Sequence, residues 1–241
     1  MTASFMVNIK GLQKSTLLDY PGKIAAIVFV AGCNFRCPFC QNPELVLEAE
    51  TLPTIPEEEI LKFLKRRRGL LEGVVITGGE PTLYPDLPKF AKKVKDLGFL
   101  VKLDTNGTNP EMLEDLLKWD LVDYVAMDIK GPIEEYEKYI GQTQILNLKS
   151  KIKKSIGILL KGGIEFEFRT TVVPTLHTEE DLIEMAKEFD QLPIKWYLQG
   201  FRPIKCLDPK FEKIRPYPKE FFDKILPKLR KYLPKTFLRG F

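Results

Sequence analysis

Three cysteines, Cys33, Cys37 and Cys40, fall within one short segment of the chain. Their spacing is CxxxCxxC, and a loop with this spacing can bring three thiolates to one centre. Thiolate is a soft ligand, so zinc and an iron–sulfur cluster are the two candidates. A structural zinc ion or a fully ligated cluster takes four protein ligands, whereas this loop offers three and no histidine. Three thiolates on a four-iron cluster would leave one iron open to bind another molecule.

Two other interpretations of these cysteines are open on spacing alone. Free cysteines are often buried in a core, although three at this spacing in one loop would be an unusual coincidence. A structural zinc ion could take Cys206 or His177, the single histidine, as its fourth ligand. Without such a role, we interpret Cys206 as a bystander and His177 as a structural or exposed loop residue. The open-site cluster accounts best for a set of three ligands.

A second segment with chemical potential is Gly78-Gly79-Glu80-Pro81. Glycines are common in turns after strands, so the pair alone indicates little. Glycines also let backbone carbonyls come close to a ligand, and a carboxylate beside them can accept a charge-assisted hydrogen bond from an ammonium group. The segment therefore has the features of a site for an amine-bearing ligand.

Acidic and basic residues lie at the carboxyl ends of the predicted strands that follow. Asp104 belongs to a DTNG segment, and Asp128 and Lys130 belong to a D-x-K segment. Acids at the carboxyl ends of neighbouring barrel strands point toward the same mouth. Arg169 lies in an apolar strand, where its charge must meet an anion or be exposed. A structural ion pair would also satisfy Arg169. Gln199, at the end of the last predicted strand, could face the same mouth.

Apolar patterning places these segments on a regular alternation of strands and helices. Short apolar runs predict buried strands, and stripes with a period of 3.6 residues predict surface helices. Predicted strands span residues 24–30, 74–77, 99–104, 122–129, 165–173 and 195–201. Predicted helices span residues 56–68, 87–97, 110–118, 134–139, 149–161, 179–189 and 219–232, with a cap at Asn109 and a break near Pro227.

This alternation requires βαβ crossovers and a parallel sheet. Six units are too few for the closed eight-unit barrel, so we predict an α/β fold, a partial (β/α)6 TIM-like barrel with mostly parallel strands. A doubly wound sheet is the alternative. We predict one domain at residues 23–241, preceded by an N-terminal extension or hairpin at residues 1–22.

The composition of the 241 residues is that of an ordinary globular protein. Lys and Arg number 37 against 33 Asp and Glu, and the net charge of +4 is too small to indicate a nucleic acid partner. The longest apolar run, residues 24–31, is far shorter than the roughly 20 residues of a membrane span. No secretory signal opens the sequence, so we expect a cytoplasmic protein with reduced thiols and no disulfide framework.

The CxxxCxxC loop, with an aromatic residue before its last cysteine, resembles that of the radical S-adenosylmethionine (SAM) superfamily. The resemblance implies that Cys33, Cys37 and Cys40 hold a [4Fe–4S] cluster whose open iron binds the amino and carboxylate groups of SAM. Reductive cleavage of SAM then gives methionine and a 5′-deoxyadenosyl radical. It also implies that Phe39 lies beside the adenine, and that the GGEP segment binds the SAM amino group through Gly78, Gly79 and Glu80.

The DTNG and D-x-K segments are similar to those of activating enzymes for glycyl radical proteins. This similarity implies that Asp104, Asp128 and Lys130 contribute to SAM binding, with Lys130 suited to the SAM carboxylate. It implies a place near SAM for Arg169. Thr105 and Met127 match positions that can help to hold a monovalent cation near SAM.

Residues 15–23 (STLLDYPGK) and 41–43 (QNP) resemble a narrower group, the activating proteins of anaerobic ribonucleoside-triphosphate reductase and of pyruvate formate-lyase. The resemblance runs from Gly11 to the C-terminal helix. It implies a glycyl radical enzyme as protein substrate, a flavodoxin or ferredoxin as electron donor, a single cluster and a monomer. We expect no nucleic acid and no membrane partner. A radical SAM enzyme for a small molecule or peptide, and a non-catalytic zinc-binding module, are the alternatives.

Overall fold

The computed structural model describes residues 6–141 and 144–240. Its contacts divide the chain into two compact units. The first comprises Met1–Cys33, Glu44–Ala126 and Ser150–Glu165, and the second comprises Asn34–Pro43, Met127–Lys149 and Phe166–Phe241. Residues 1–5 of the predicted extension lie outside the described residues.

The described ranges contain eight strands that are hydrogen bonded in chain order. The strands are β1 (Ile9–Thr16), β2 (Ala25–Val30), β3 (Gly73–Gly78), β4 (Leu100–Thr105), β5 (Tyr124–Asp128), β6 (Glu165–Val172), β7 (Trp196–Gly200) and β8 (Thr236–Arg239). In the first unit β1 is antiparallel to β2, and β2, β3 and β4 are parallel. In the second unit β6, β7 and β8 are parallel. The predicted α/β fold class with a mostly parallel sheet is confirmed.

Helices connect most of these strands. They are α1 (Pro43–Leu47), α2 (Glu57–Arg66), α3 (Leu87–Asp96), α4 (Pro110–Lys118), α5 (Glu137–Ile140), α6 (Leu148–Lys161), α7 (Glu179–Glu188) and α8 (Lys219–Leu229). The predicted cap of α4 is confirmed, since the Asn109 side chain accepts a hydrogen bond from the N–H of Met112 at 3.2 Å. A capping box of Thr178 and Asp181 opens α7. Of the helices between residues 6 and 240 that the structure describes, none has the length and apolar character to cross a bilayer.

The core of the first unit explains why its strands read as continuous apolar runs. On one face Tyr20, Tyr124 and Val75 pack in one cluster. The residues that alternate with them, such as Val74 and Ile76, are also buried. A parallel strand covered on both faces needs apolar side chains at every position.

Three expectations about elements need correction. The predicted break near Pro227 is wrong, because α8 continues through Pro227 to Leu229. Pro227 lacks the N–H for one i→i−4 hydrogen bond of the helix, and the buried side chains of Phe222, Ile225 and Leu229 hold α8 in place around it. The helix predicted at residues 134–139 is divided into a 3₁₀ turn, Ile133–Glu135, and α5. The strand β1 lies in the segment predicted as an extension or hairpin, without predicted bounds, and the strand β8 and the helix α1 were not predicted as elements.

Candidate active site

The end of β3 packs closely against the backbone at the end of β2, within the first unit. The N–H of Gly79 donates to the Val30 carbonyl at 2.9 Å, and the N–H of Glu80 donates to the Gly32 carbonyl at 2.8 Å. A Cβ on residue 79 would overlap the Gly32 carbonyl oxygen. Gly78 has a φ of +113°, which residues with side chains rarely adopt. Both glycines are therefore needed for this approach of the two chain segments.

The carboxylate of Glu80 is buried and accepts four hydrogen bonds. Its Oε1 accepts from the N–H of Thr82 at 3.1 Å, from the Thr82 hydroxyl at 2.5 Å and from the Thr105 hydroxyl at 2.7 Å. Its Oε2 accepts from the N–H of Asn106 at 2.6 Å. Burial raises the pKa of Glu80, and these hydrogen bonds act against that rise. The carboxylate joins the loops that follow β3 and β4.

Cys33 follows β2 and is half-buried. The side-chain amide of Asn106 lies 3.9 Å from its Sγ, with Nδ2 as the donor. Ala31 lies two residues before Cys33, and its carbonyl accepts a hydrogen bond from the hydroxyl of Tyr84 at 2.7 Å. The backbone that enters the cysteine loop is thus fixed, and an amide donor lies beside the first of its thiols.

Asp104 and Thr105, at the end of β4, belong to different networks because neighbouring residues of a strand point to opposite faces. Asp104 forms an ion pair with Lys102, whose side chain is only 1% exposed. A buried ammonium requires such a partner. The Thr105 hydroxyl donates to Glu80 and accepts from the N–H of Gly107 at 3.1 Å.

The second unit holds the rest of the cysteine loop. Cys37 is buried, Cys40 is half-buried, and the N–H of Cys40 donates to the Cys37 carbonyl at 3.0 Å. Phe39 is buried between them, and the centre of its ring lies 5.9 Å from the Nζ of Lys130. The turn therefore places an aromatic face next to a cation.

A distant segment supports this turn through its backbone. The N–H of Leu207 donates to the Cys40 carbonyl at 3.0 Å, and the N–H of Asp208 donates to the Pro38 carbonyl at 2.9 Å. Cys206 itself is buried, and burial raises the pKa of its thiol. The segment at residues 207–208 therefore supports the loop through two main-chain N–H groups, which bind carbonyls on either side of Phe39.

Asp128, Lys130 and Arg169 form one ion-paired group in the second unit. The Oδ1 of Asp128 lies 2.9 Å from Nε of Arg169, and its Oδ2 lies 2.8 Å from Nζ of Lys130. Burial alone would raise the pKa of Asp128, but the two cations outweigh it and lower the pKa to about 2. Burial alone would lower the pKa of Lys130, but the carboxylate raises it. Two positive charges against one negative charge suit an anionic ligand group.

Three residues that the sequence reasoning did not select, Thr82, Asn106 and Tyr136, hold these groups in place. The buried Tyr136 hydroxyl accepts from the N–H of Lys130 at 3.0 Å and donates to the Asp128 carbonyl at 3.2 Å. Asn106 belongs to the DTNG segment and could have been chosen with it. Thr82 and Tyr136 gave no signal of their own, because their roles depend on contacts that only the fold creates.

The predicted site residues form two groups, one in each unit. The first unit contains Cys33, Gly78, Gly79, Glu80, Asp104 and Thr105. The second unit contains Cys37, Phe39, Cys40, Asp128, Lys130 and Arg169. The cysteine loop passes from the first unit into the second, so both contribute thiols from the same short segment.

Comparison with known proteins identifies the family. Residues 27–190 match the Radical SAM superfamily. The chain belongs to the radical SAM superfamily. It is 37% identical over 237 residues to a Methanocaldococcus jannaschii protein provisionally named a glycyl-radical enzyme activating enzyme, with 96% of this chain and 95% of that protein covered.

Further radical SAM relatives have differing names. The pyruvate formate-lyase-activating enzyme of Clostridium pasteurianum is 31% identical over 191 residues, covering 75% of each chain. The 7-carboxy-7-deazaguanine synthase of Hyperthermus butylicus is 35% identical over 202 residues, covering 76% of this chain and 83% of that protein. The crystal structure of SuiB from Streptococcus suis bound to S-adenosylmethionine has a TM-score of 0.65 at 17% identity. It covers 87% of this chain, which spans about half (48%) of that structure, and the likeness shows the fold.

Radical SAM enzymes use a [4Fe–4S] cluster and SAM, and the donor set of this chain fits them. In the described part of the chain, which includes all four cysteines, none of the thiols is in a disulfide. Across residues 6–141 and 144–240, no three His, Cys, Asp or Glu groups converge as ligands of a single metal ion. A four-iron cluster does not require that convergence, because each thiolate binds a different iron. The ring nitrogens of His177 are both hydrogen bonded, which disfavours the zinc site with His177 as ligand.

Proposed function

We propose that this radical SAM enzyme is a glycyl-radical enzyme activating enzyme. The observation that carries the proposal is its similarity, over 96% of its length, to the Methanocaldococcus jannaschii relative with that provisional name. The partner would be an anaerobic ribonucleotide reductase or a pyruvate formate-lyase-like enzyme. The chain has only four cysteines, too few for a second three-cysteine site, so the electron would come from a separate flavodoxin or ferredoxin.

Cys33, Cys37 and Cys40 would hold the cluster, which when bound and reduced supplies the electron that cleaves SAM into methionine and a 5′-deoxyadenosyl radical. The chain itself would bind and orient SAM. Glu80 would accept a charge-assisted hydrogen bond from the SAM ammonium group, because its carboxylate is held in place by four donors. Gly78 and Gly79 would present backbone atoms to the same end of SAM.

The cationic group of the second unit suits the carboxylate of SAM. Lys130 would meet the SAM carboxylate, while Asp128 and Arg169 hold its ammonium in place. Phe39 would lie beside the adenine. Asp104 would contribute to the surroundings of SAM, and a monovalent cation near Thr105 stays a prediction.

The test is radical transfer to a candidate partner protein. The purified, iron-reconstituted enzyme is reduced with dithionite under anaerobic conditions and mixed with SAM and the partner, and glycyl radical is measured by electron paramagnetic resonance. We expect a SAM-dependent glycyl radical signal with wild type and none with Cys40→Ala, which should lose its cluster. Formation of 5′-deoxyadenosine with no glycyl radical in either partner class would contradict the proposal.

The second candidate is a radical SAM enzyme that acts on a small molecule. The similarity to the Hyperthermus butylicus enzyme named 7-carboxy-7-deazaguanine synthase favours it. Mass spectrometry of the products distinguishes the two candidates. Production of 7-carboxy-7-deazaguanine by the reduced enzyme in an extract of small metabolites would support the second candidate and oppose the first.

A further inference from the structure

His177, the single histidine, is fully buried in the second unit and has both ring nitrogens in use. The N–H of Val173 donates to Nδ1 at 3.1 Å. A neutral imidazole that accepts at Nδ1 carries its proton on Nε2. Nε2 lies 2.8 Å from the Lys130 carbonyl and therefore donates to it. The ring thus joins the loop after β6 to the residue that closes the D-x-K segment.

The surroundings keep this imidazole neutral and immobile. Burial lowers its pKa to about 4, so the neutral form predominates at pH 7. The Tyr139 ring packs against it with centroids 4.8 Å apart. The hydroxyl of Tyr217 donates to the His177 carbonyl at 2.9 Å, a main-chain contact that is separate from the two hydrogen bonds of the ring.

Lys130 is consequently held on both sides of its α-carbon. Its N–H donates to the Tyr136 hydroxyl at 3.0 Å, and its carbonyl accepts from His177. The side chain that leaves this fixed backbone places its ammonium 2.8 Å from Asp128. Rotation of the peptide after Lys130 would move the start of that side chain and disturb the ion pair.

We propose that His177 is a positioning residue, whose hydrogen bond to the Lys130 carbonyl keeps the Lys130 ammonium in the arrangement that binds SAM. The inference rests on the proposed role of Lys130 in SAM binding. It differs from a purely structural role because it assigns the effect to one of the two hydrogen bonds of the ring, the bond to Lys130.

Two substitutions separate those hydrogen bonds. In His177→Gln, the longer side chain can place an amide donor where Nε2 stands and keep the bond to Lys130. In His177→Asn, the amide oxygen can stand where Nδ1 is and keep the bond from Val173, but the bond to Lys130 is lost. We expect the Kd of SAM for the cluster-loaded enzyme to rise about tenfold in His177→Asn and to stay within about threefold in His177→Gln.

Tyr217→Phe is the matched control, because it removes the hydrogen bond to the His177 carbonyl and leaves both hydrogen bonds of the imidazole ring intact. Its SAM affinity should equal that of wild type. Thermal unfolding shows whether each variant is folded. Wild-type affinity in His177→Asn, or equal losses in His177→Asn and His177→Gln, would overturn the positioning role. Wild-type enzyme with a loaded cluster that does not bind SAM would overturn the proposed function as well.

A measurement on the unsubstituted chain keeps the inference falsifiable if the variants do not fold. Nitrogen-15 NMR of the cluster-free protein reports which ring nitrogen carries the proton. We expect the Nε2–H tautomer at pH 7 and no imidazolium at pH 6. An Nδ1–H tautomer would contradict the hydrogen bond to Lys130 and with it the positioning role. A ring protonated at pH 6 would contradict the hydrogen bond from Val173, on which the assignment of the Nε2–H tautomer rests.

Discussion

Glu80 illustrates how narrowly a single position can be specified by its donors. Two main-chain N–H groups and two hydroxyls point at its carboxylate, from Thr82, Thr105 and Asn106. A hydroxyl can turn and accept a hydrogen bond instead, but a main-chain N–H can only donate. Each carboxylate oxygen receives one of the N–H groups, so an amide at this position would direct its NH₂ group at one of them.

We therefore expect Glu80→Gln to lower the free energy of unfolding by about 1–3 kcal/mol, the cost of a buried donor without an acceptor. The lost charge should weaken SAM binding by at least about tenfold. Chemical denaturation of the cluster-free protein gives the first quantity, and SAM binding to the loaded enzyme gives the second. Glu72→Gln is the control, because that carboxylate is exposed beside Lys23. Equal effects in the two variants would contradict this account of Glu80.

Sequence motifs point to candidate site residues, but they do not point to the residues that hold those candidates in place. Glu80 and Lys130 could be selected because their segments carry a recognisable order of residue types. Tyr136 and His177 could not, although both hydrogen bond to the backbone of Lys130. A lone buried tyrosine or histidine looks in sequence like any other core residue, and its role depends on which carbonyl the fold brings to it.

At the scale of elements, the close approach of β3 to the end of β2 depends on glycine, which has no side chain, at position 79. The main chains of residues 79 and 32 are so close that a Cβ on residue 79 would overlap the Gly32 carbonyl oxygen. Gly157, in α6, has open space where a Cβ would stand. Gly157 therefore serves as a control for Gly79, because alanine meets no atom at Gly157 and meets backbone at Gly79.

We expect Gly79→Ala to destabilise the protein by at least about 2 kcal/mol, because backbone would have to move to relieve the overlap. We expect Gly157→Ala to stabilise it by about 0.5–1 kcal/mol, because alanine favours a helix interior and loses less chain entropy on folding. Denaturant unfolding of both variants checks the pair. A neutral or stabilising Gly79→Ala would show that the end of β2 can retreat from β3 at little cost.

The order of elements was predictable because buried parallel strands and amphipathic helices have distinct apolar periods. All six predicted strands are present, with ends displaced by a residue or two. The strand β8 was missed because its sequence, TFLR, is short and carries an arginine. The parallel pairing of β8 with β7 was also not predictable, because no local sequence pattern indicates which strand is the neighbour.

At the scale of the whole molecule, ion pairs between residues far apart in the chain are the feature that is hardest to predict from the sequence. Arg239 in β8 makes two hydrogen bonds, of 2.6 and 2.8 Å, to the fully buried carboxylate of Glu167 in β6. Its guanidinium also lies 3.7 Å from the centre of the Tyr197 ring. A buried carboxylate without this partner would be costly. Nothing in the sequence indicates that residue 167 pairs with residue 239. Hydrophobic periodicity shows which face of a strand is buried, but it does not show which residue contacts which.

Protonation links the site to the stability of the whole chain. The pKa of His177 falls from an ordinary 6.5 to about 4 on folding, because burial disfavours the imidazolium; Asp181 acts against the shift and Lys138 acts with it. Between those two values the unfolded chain binds more protons than the folded chain. Stability is therefore fully present above pH 6.5 and is lost as the pH falls toward 4.

We expect this single residue to remove about 2 kcal/mol of stability between pH 7 and pH 5, and roughly 3 kcal/mol by the time the folded protein also takes up the proton. His177→Gln carries no titrating group there, so urea unfolding at a series of pH values should give a flatter profile for the variant. Asp128, whose pKa is lowered to about 2, titrates at lower pH in both proteins and cancels in the difference. Parallel profiles from pH 7 to pH 5 would mean that the imidazole can be charged in the folded protein, so that Nδ1 carries a proton and does not accept from Val173.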